Sequence, residues 1–173
     1  MFCCKRNPDK KIEAMASILI LGGVVPLAVA IVAQHLFQLA PCHFCILQRW
    51  PYGVAIIAGV ASLLVPRLGL WWRFFVAAGI LAFLATGLLG LVHTGIETGF
   101  LHYAGSCVAQ APAEDSLDAL KQSIMAAPIV SCNEVRASFL GLSMASWNSL
   151  FALVMLILTF LQYRFEYRRR YGR

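Results

Sequence analysis

Two thiols two residues apart, Cys42 and Cys45, stand in the stretch Pro41-Cys42-His43-Phe44-Cys45-Ile46-Leu47-Gln48-Arg49, where one apolar run ends and the next begins. A Cys-x-x-Cys pair has three common uses. Haem attachment needs a histidine directly after the second cysteine, and Ile46 stands there instead. A structural zinc site wants four closed ligands, usually from two close pairs. The next two cysteines, Cys107 and Cys132, are separated by 24 residues, which gives a zinc knuckle little support. The third use is redox exchange. A second pair fits that use, because disulfide exchange needs only a thiolate attack and a mixed disulfide. The competing account of Cys107 and Cys132 is a structural staple, closing a loop of about 25 residues for roughly 3 kcal/mol on the chain-entropy argument.

Several polar side chains are spaced to act on such a pair. Arg49 lies at i+4 from Cys45, on the same helix face. A fixed cation there lowers a thiol's pKa and stabilises negative charge developing on an electron acceptor. Its plainer role is that of an interface arginine extending to water. His93 and Glu97 are likewise at i+4 and could relay protons or orient an acceptor; polar capping of a helix end beside Gly95 and Gly99 is the alternative. Gln48 and Asn148 could bond a ligand or simply pack helices together. His43 could tune the thiols or do nothing.

The elements that must position these groups are apolar. The 173 residues are 60% hydrophobic and 13% charged, against roughly 45–50% and 25% in ordinary globular chains. Runs at Ala14–Val32, Ile46–Val65, Leu70–Val92 and Met144–Leu161 each approach the length of about 20 residues that spans a bilayer, and they lack the polar stripe of a soluble bundle. The sequence therefore predicts an all-α membrane protein of one domain over 1–173, a four-helix transmembrane bundle. Its helices fall at about 14–36, 46–65, 70–93 and 144–163, with a short outer loop at 37–45 and a long one at 94–143. Helix 2 is expected to begin just after the thiol pair, where free N–H groups and the helix dipole favour a thiolate. Pro26 should kink helix 1. Trp71, Trp72 and Trp147 read as interface aromatics, and Ala78, Ala82, Thr86 and Gly90 form a small-residue stripe for close packing. In the long loop, Leu117, Leu120 and Ile124 share one face of a short amphipathic helix suited to the membrane surface.

The net charge of +6 is a topology signal and predicts no nucleic-acid partner. Lys5, Arg6, Lys10 and Lys11 precede helix 1, Arg67 and Arg73 flank the turn between helices 2 and 3, and five arginines from Arg164 to Arg173 close the chain. The positive-inside rule then puts both termini in the cytoplasm and both long-range cysteine loops outside. All four cysteines of interest fall on the side where disulfides persist, whereas Cys3 and Cys4 fall on the reducing side. Ala28-Val29-Ala30 mimics a signal-peptidase site, but the apolar run continues beyond it, so retention of the first helix is expected.

The stretch Cys42-His43-Phe44-Cys45-Ile46-Leu47-Gln48-Arg49 resembles the CxxCxxQR motif of the DsbB family of bacterial disulfide-forming membrane proteins. Ser138-Phe139-Leu140-Gly141-Leu142-Ser143-Met144, with Trp147 and Asn148, is similar to that family's FLGLxMPxWN segment, with Ala145 where proline is frequent. The resemblance implies a bacterial inner-membrane, multi-pass protein with its cysteine loops in the periplasm. It further implies a relay. A reduced DsbA-like partner attacks a Cys107–Cys132 disulfide at Cys107. The electrons pass to Cys42 and Cys45, and Cys45 delivers them to a quinone (ubiquinone or menaquinone) held near Arg49 and His93. Neither a resident metal nor a particular oligomer is implied. On the residues alone, a Cys/His metal-binding protein and a disulfide-stapled scaffold remain alternatives, and four cysteines allow three pairings.

Overall fold

A computed structural model describes residues 9–39, 41–66, 69–102, 107–108, 129–130 and 138–172. Helix α1 runs Asp9–Leu36, α2 His43–Leu47, α3 Arg49–Leu64 and α4 Leu70–Glu97; β1 is Cys107–Val108, β2 Ile129–Val130, β3 Ser138–Phe139 and β4 Leu142–Ser143; α5 is Met144–Tyr171. Four spans, Ala14–Leu36, His43–Leu64, Leu70–Glu97 and Met144–Arg169, are long and apolar enough to cross a membrane. The expected all-α four-helix architecture is thus found.

The helices close a ring in chain order: α1 packs on α3, α3 on α4, α4 on α5, and α5 back on α1. Within the ring, Leu19, Tyr52, Ala55, Ala82 and Phe83 form the central core. Met15, Trp72 and Val76 form a second cluster towards the start of α1 and α4, with Tyr163 against it. Leucine, isoleucine and valine side chains cover the outside. Without a hydrophobic drive between helices in lipid, small residues must allow close backbone approach. A Cβ at Gly59 would meet Leu19 and Ile20 of α1 at 3.0 Å or less. One at Gly90 would collide with Ser149 of α5. The buried stripe of α4 holds Gly79, Ala82, Thr86 and Gly90 and then reaches His93. Ala78, expected in that stripe, is only half-buried, because Gly79 is the residue that faces Leu19.

Four expectations need correction. Helix 2 does not start after the thiols: Cys42 is the N-cap of α2 and Cys45 lies within it. Nor is this span continuous, since α2 and α3 are separated at Gln48. Pro51 is the cause: its missing N–H would have bonded the carbonyl of Leu47, the last residue of α2. Trp72 is no interface residue; it is 1% exposed and stacks on Tyr163 with ring centroids 6.2 Å apart. Helix α5 also outruns its expected end, carrying its tyrosines on so that Arg73 bonds Tyr171 Oη at 3.0 Å and lies over the Tyr167 and Tyr171 rings.

Between the last loop and α5 stands a hairpin in which Ser138 pairs with Ser143 and Phe139 with Leu142. Its two turn residues, Leu140 and Gly141, both have positive φ, as a type I′ turn requires. Ser143 then caps α5 by accepting from Ser146 N–H at 3.1 Å. β1 and β2 are antiparallel, with Cys107 opposite Val130. The expected surface helix near 114–125 and Cys132 lie outside the described residues.

Candidate functional site

Five-residue α2 is too short to act through its dipole, which the sequence had suggested. The sulfurs are governed by each other. Cys42, in extended backbone at the N-cap, accepts from Cys45 N–H at 3.3 Å and contacts Cys45 Sγ at 3.0 Å. Both are free thiols. A disulfide needs the sulfurs about 2.05 Å apart, so closing this pair takes a movement of about 1 Å. Cys42 is 6% exposed, and its thiol is pushed up to about 12, first by donating to Cys45 and then by burial.

His93 meets this pair from α4. Its Nε2 lies 3.5 Å from Cys42 Sγ and 3.7 Å from Glu97 Oε1, so thiol, imidazole and carboxyl are in sequence. Phe44 stacks on the imidazole with centroids 5.7 Å apart, which fixes the plane of the ring. The i+4 spacing placed His93 and Glu97 together; their contact with Cys42, 51 positions away, was beyond local spacing.

Arg49 opens α3, yet its guanidinium reaches across to α1, where Nη1 donates to Gln34 Oε1 at 3.0 Å. Gln48, at the break, is held from two other helices. Its carbonyl accepts from Thr86 at 3.3 Å, and its side-chain oxygen accepts from Asn148 Nδ2 at 3.1 Å. Asn148 in turn accepts from Tyr52 Oη at 2.7 Å. Sequence reasoning weighed Gln48 and Asn148, took Gln34 only as a polar residue near the end of helix 1, and passed over Tyr52. The available signal was polarity at membrane depth, where a polar residue without a partner is costly.

These groups surround one cavity of about 350 Å³, lined on its apolar side by α1 residues such as Val25, Pro26, Val29 and Ala30, and by Met144, Trp147 and Phe151 of α5. Cys42, Cys45, Gln48, Arg49, Tyr52, His93, Glu97 and Asn148 line its polar side. The volume lies within the roughly 300–1,000 Å³ of small-molecule sites. Gln48 Nε2, Arg49 Nε, His93 Nδ1 and Glu97 Oε2 are buried without a hydrogen-bond partner. Buried polar atoms are ordinarily paired, so these atoms are unspent donors and an acceptor on the wall of a largely apolar pocket. His43, by contrast, is exposed and edge-on to Phe44. Of the four anticipated cysteines, the structure joins Cys42 and Cys45 to Arg49 and His93; Cys107 is placed only by its strand.

Residues 13–162 match the family described as disulfide bond formation protein DsbB. The chain is 32% identical over 147 residues to disulfide bond formation protein B 2 of Pseudomonas aeruginosa, covering 80% of this chain and 83% of that one. It is 31% identical over 146 residues to disulfide bond formation protein B of Haemophilus ducreyi, with 76% of each covered. An uncharacterized protein of Rickettsia prowazekii is 26% identical over 142 residues, 81% of each chain. No solved structure matches the chain significantly.

Proposed function

Since the chain belongs to the DsbB family of membrane disulfide bond formation proteins, we propose that it oxidises a periplasmic DsbA-like dithiol protein and passes the electrons to a membrane quinone. In this proposal it sits in the bacterial inner membrane with both termini cytoplasmic. The observation that carries it is the dithiol pair, sulfurs 3.0 Å apart, on the wall of an apolar cavity.

The residues fit a quinone. Its ring suits the apolar wall, and its carbonyl oxygens suit the unpaired N–H groups of Gln48 and Arg49. When bound, a quinone supplies a sink for two electrons and two protons. The chain's own tasks follow from the balance: two thiols and a quinone give one disulfide and a quinol. Cys45, less buried than Cys42 and beside the arginine on α3, is the sulfur that delivers electrons. Cys42 must lose its proton to close the disulfide, and burial together with its bond to Cys45 opposes that loss. His93 Nε2 is within reach to take the proton, and Glu97 stands beside the same nitrogen to receive it and pass it into the cavity. Arg49 holds positive charge at the acceptor's position.

Upstream, Cys107 and Cys132 form the exchanging disulfide that the partner attacks at Cys107. In sequence, Cys132 follows Val130 by two residues, and Val130 is the strand partner of Cys107.

The test is anaerobic mixing of purified protein, a soluble quinone and a reduced DsbA-like protein, following quinone absorbance. Quinone consumption by wild type, and none by Cys45→Ser in an equally folded preparation, is expected. Turnover in Cys45→Ser, or none in wild type, would refute the proposal.

A further inference from the structure

We infer that the dithiol form of this centre is a zinc site, with Cys42, Cys45 and His93 as ligands, and that zinc captured there blocks the electron exit. This metal is a competitor of the redox reaction and not a cofactor of it. The three ligand atoms, two Sγ and an imidazole nitrogen, all lie within 4.8 Å of one another. Around a tetrahedral zinc, with Zn–S about 2.3 Å and Zn–N about 2.0 Å, sulfur and nitrogen are about 3.5 Å apart and two sulfurs about 3.8 Å. Cys42 Sγ and His93 Nε2 already stand 3.5 Å apart. The sulfurs, at 3.0 Å, have to open by about 0.8 Å.

Charge favours the same ion. One zinc with two thiolates and a neutral imidazole is electrically neutral, so the site escapes the cost of an uncompensated ion in an apolar cavity. Binding releases two protons, one from each thiol, and no electron moves. A soft, thiolate-seeking cation is selected over magnesium or calcium, which prefer oxygen ligands. The fourth position faces the cavity, where Glu97 Oε1, 3.7 Å from the imidazole nitrogen, offers an oxygen or leaves room for water. Oxidation to the Cys42–Cys45 disulfide removes both thiolates, so the site exists only in the reduced form. Disulfide formation and metal capture are therefore mutually exclusive at these two sulfurs.

Metal binding stands on the ligand geometry alone, whereas the resulting inhibition rests on the oxidase function proposed above. The full chain is prepared with Cys3, Cys4, Cys107 and Cys132 replaced by serine, leaving one thiol pair. Cadmium serves as the spectroscopic substitute for zinc, read by its ultraviolet thiolate charge-transfer band. The expected result is one cadmium per reduced chain, displaced by excess zinc, and no band after the pair is oxidised. His93→Ala should weaken binding by more than the roughly 10–100-fold lost when only a ligand's outer hydrogen-bond partner is removed. His93→Gln serves the same purpose if the alanine variant misfolds. No band in the reduced chain, equal binding by the oxidised chain, or unchanged affinity in the His93 variant would each overturn the proposal. In the unmodified protein, zinc should slow quinone consumption, and a chelator should restore it. Failure of metal binding with intact metal-free turnover refutes the zinc site only; absent turnover without metal refutes the oxidase only.

Discussion

Replacing His93 tests whether the centre works by moving the Cys42 proton. Its hydrogen bond to Cys45 and its burial hold that thiol well above the ordinary range, so only a very small fraction is ionised near neutrality. Hydroxide alone is too dilute to deprotonate it quickly, so an adjacent base decides the rate of disulfide closure. Among the described residues, His93 Nε2 at 3.5 Å is the base in contact with Cys42, and a positioned base contributes about 10²–10⁴-fold. His93→Gln, which preserves much of the volume stacked against Phe44, should therefore slow quinone reduction by about 10²–10⁴-fold. The assay is stopped-flow absorbance with prereduced protein and a soluble quinone under anaerobic conditions. The pH profile separates a lost base from a merely disturbed pocket. Without His93 the rate should climb about tenfold per pH unit above neutrality, following the Cys42 thiolate fraction, and added imidazole should restore part of it. A variant within about twofold of wild type, or a slow variant with a flat profile and no imidazole rescue, would refute this chemistry.

The remaining predictions concern the groups around that proton. In reduced protein, an alkylating reagent should modify Cys45 well before Cys42, which is 6% exposed and whose reactive thiolate becomes abundant only as pH rises towards about 12; mass spectrometry of timed samples reads the order. Asn148→Ala should strand the Tyr52 hydroxyl and the Gln48 side-chain oxygen, at about 1–3 kcal/mol for each unpaired group; a lower unfolding temperature in detergent and a raised KM for quinone are expected. Gln34→Glu should give Arg49 a carboxylate partner in place of an amide and slow quinone reduction, whereas Gln34→Ala should not; stopped-flow rates for the two variants side by side decide this.

Much of this arrangement was legible because it is local. Hydropathy gives the four spans, since the bilayer demands an apolar run of fixed length. Cys42 and Cys45 are at i+3 and His93 and Glu97 at i+4, and such spacing is a property of the chain itself. Illegible were the contacts that cross the bundle: Arg49 to Gln34, Asn148 to Gln48, and Cys42 to His93. They depend on which helix faces follow one another around the ring, and the spans show little periodicity from which to read a face. The break at Gln48 was half-visible. Pro51 stands there, but a proline so early in a helix is ordinarily tolerated, and the bond from Thr86 on another helix to the Gln48 carbonyl at the break is non-local.

Arg49 shows why the crossing contacts matter more to function than the local ones. An arginine near the bilayer is usually paired or extended to water, because its charge is costly there. Its hydrogen-bond partner here is Gln34, a neutral amide, and its Nε is buried without a partner. An amide orients the guanidinium without cancelling its charge. A carboxylate in the same place would anchor it better but would spend the positive field on itself. That field is worth most where it is preorganised in an apolar cavity and aimed at negative charge that appears only during reaction. The same logic explains why the carboxyl of Glu97 stands on α4 beside His93, where the task is handling a proton. On the proposed function, the bundle separates two jobs that adjacency in sequence would have merged: holding positive charge for the arriving electrons, and clearing the proton that would otherwise keep Cys42 from following them.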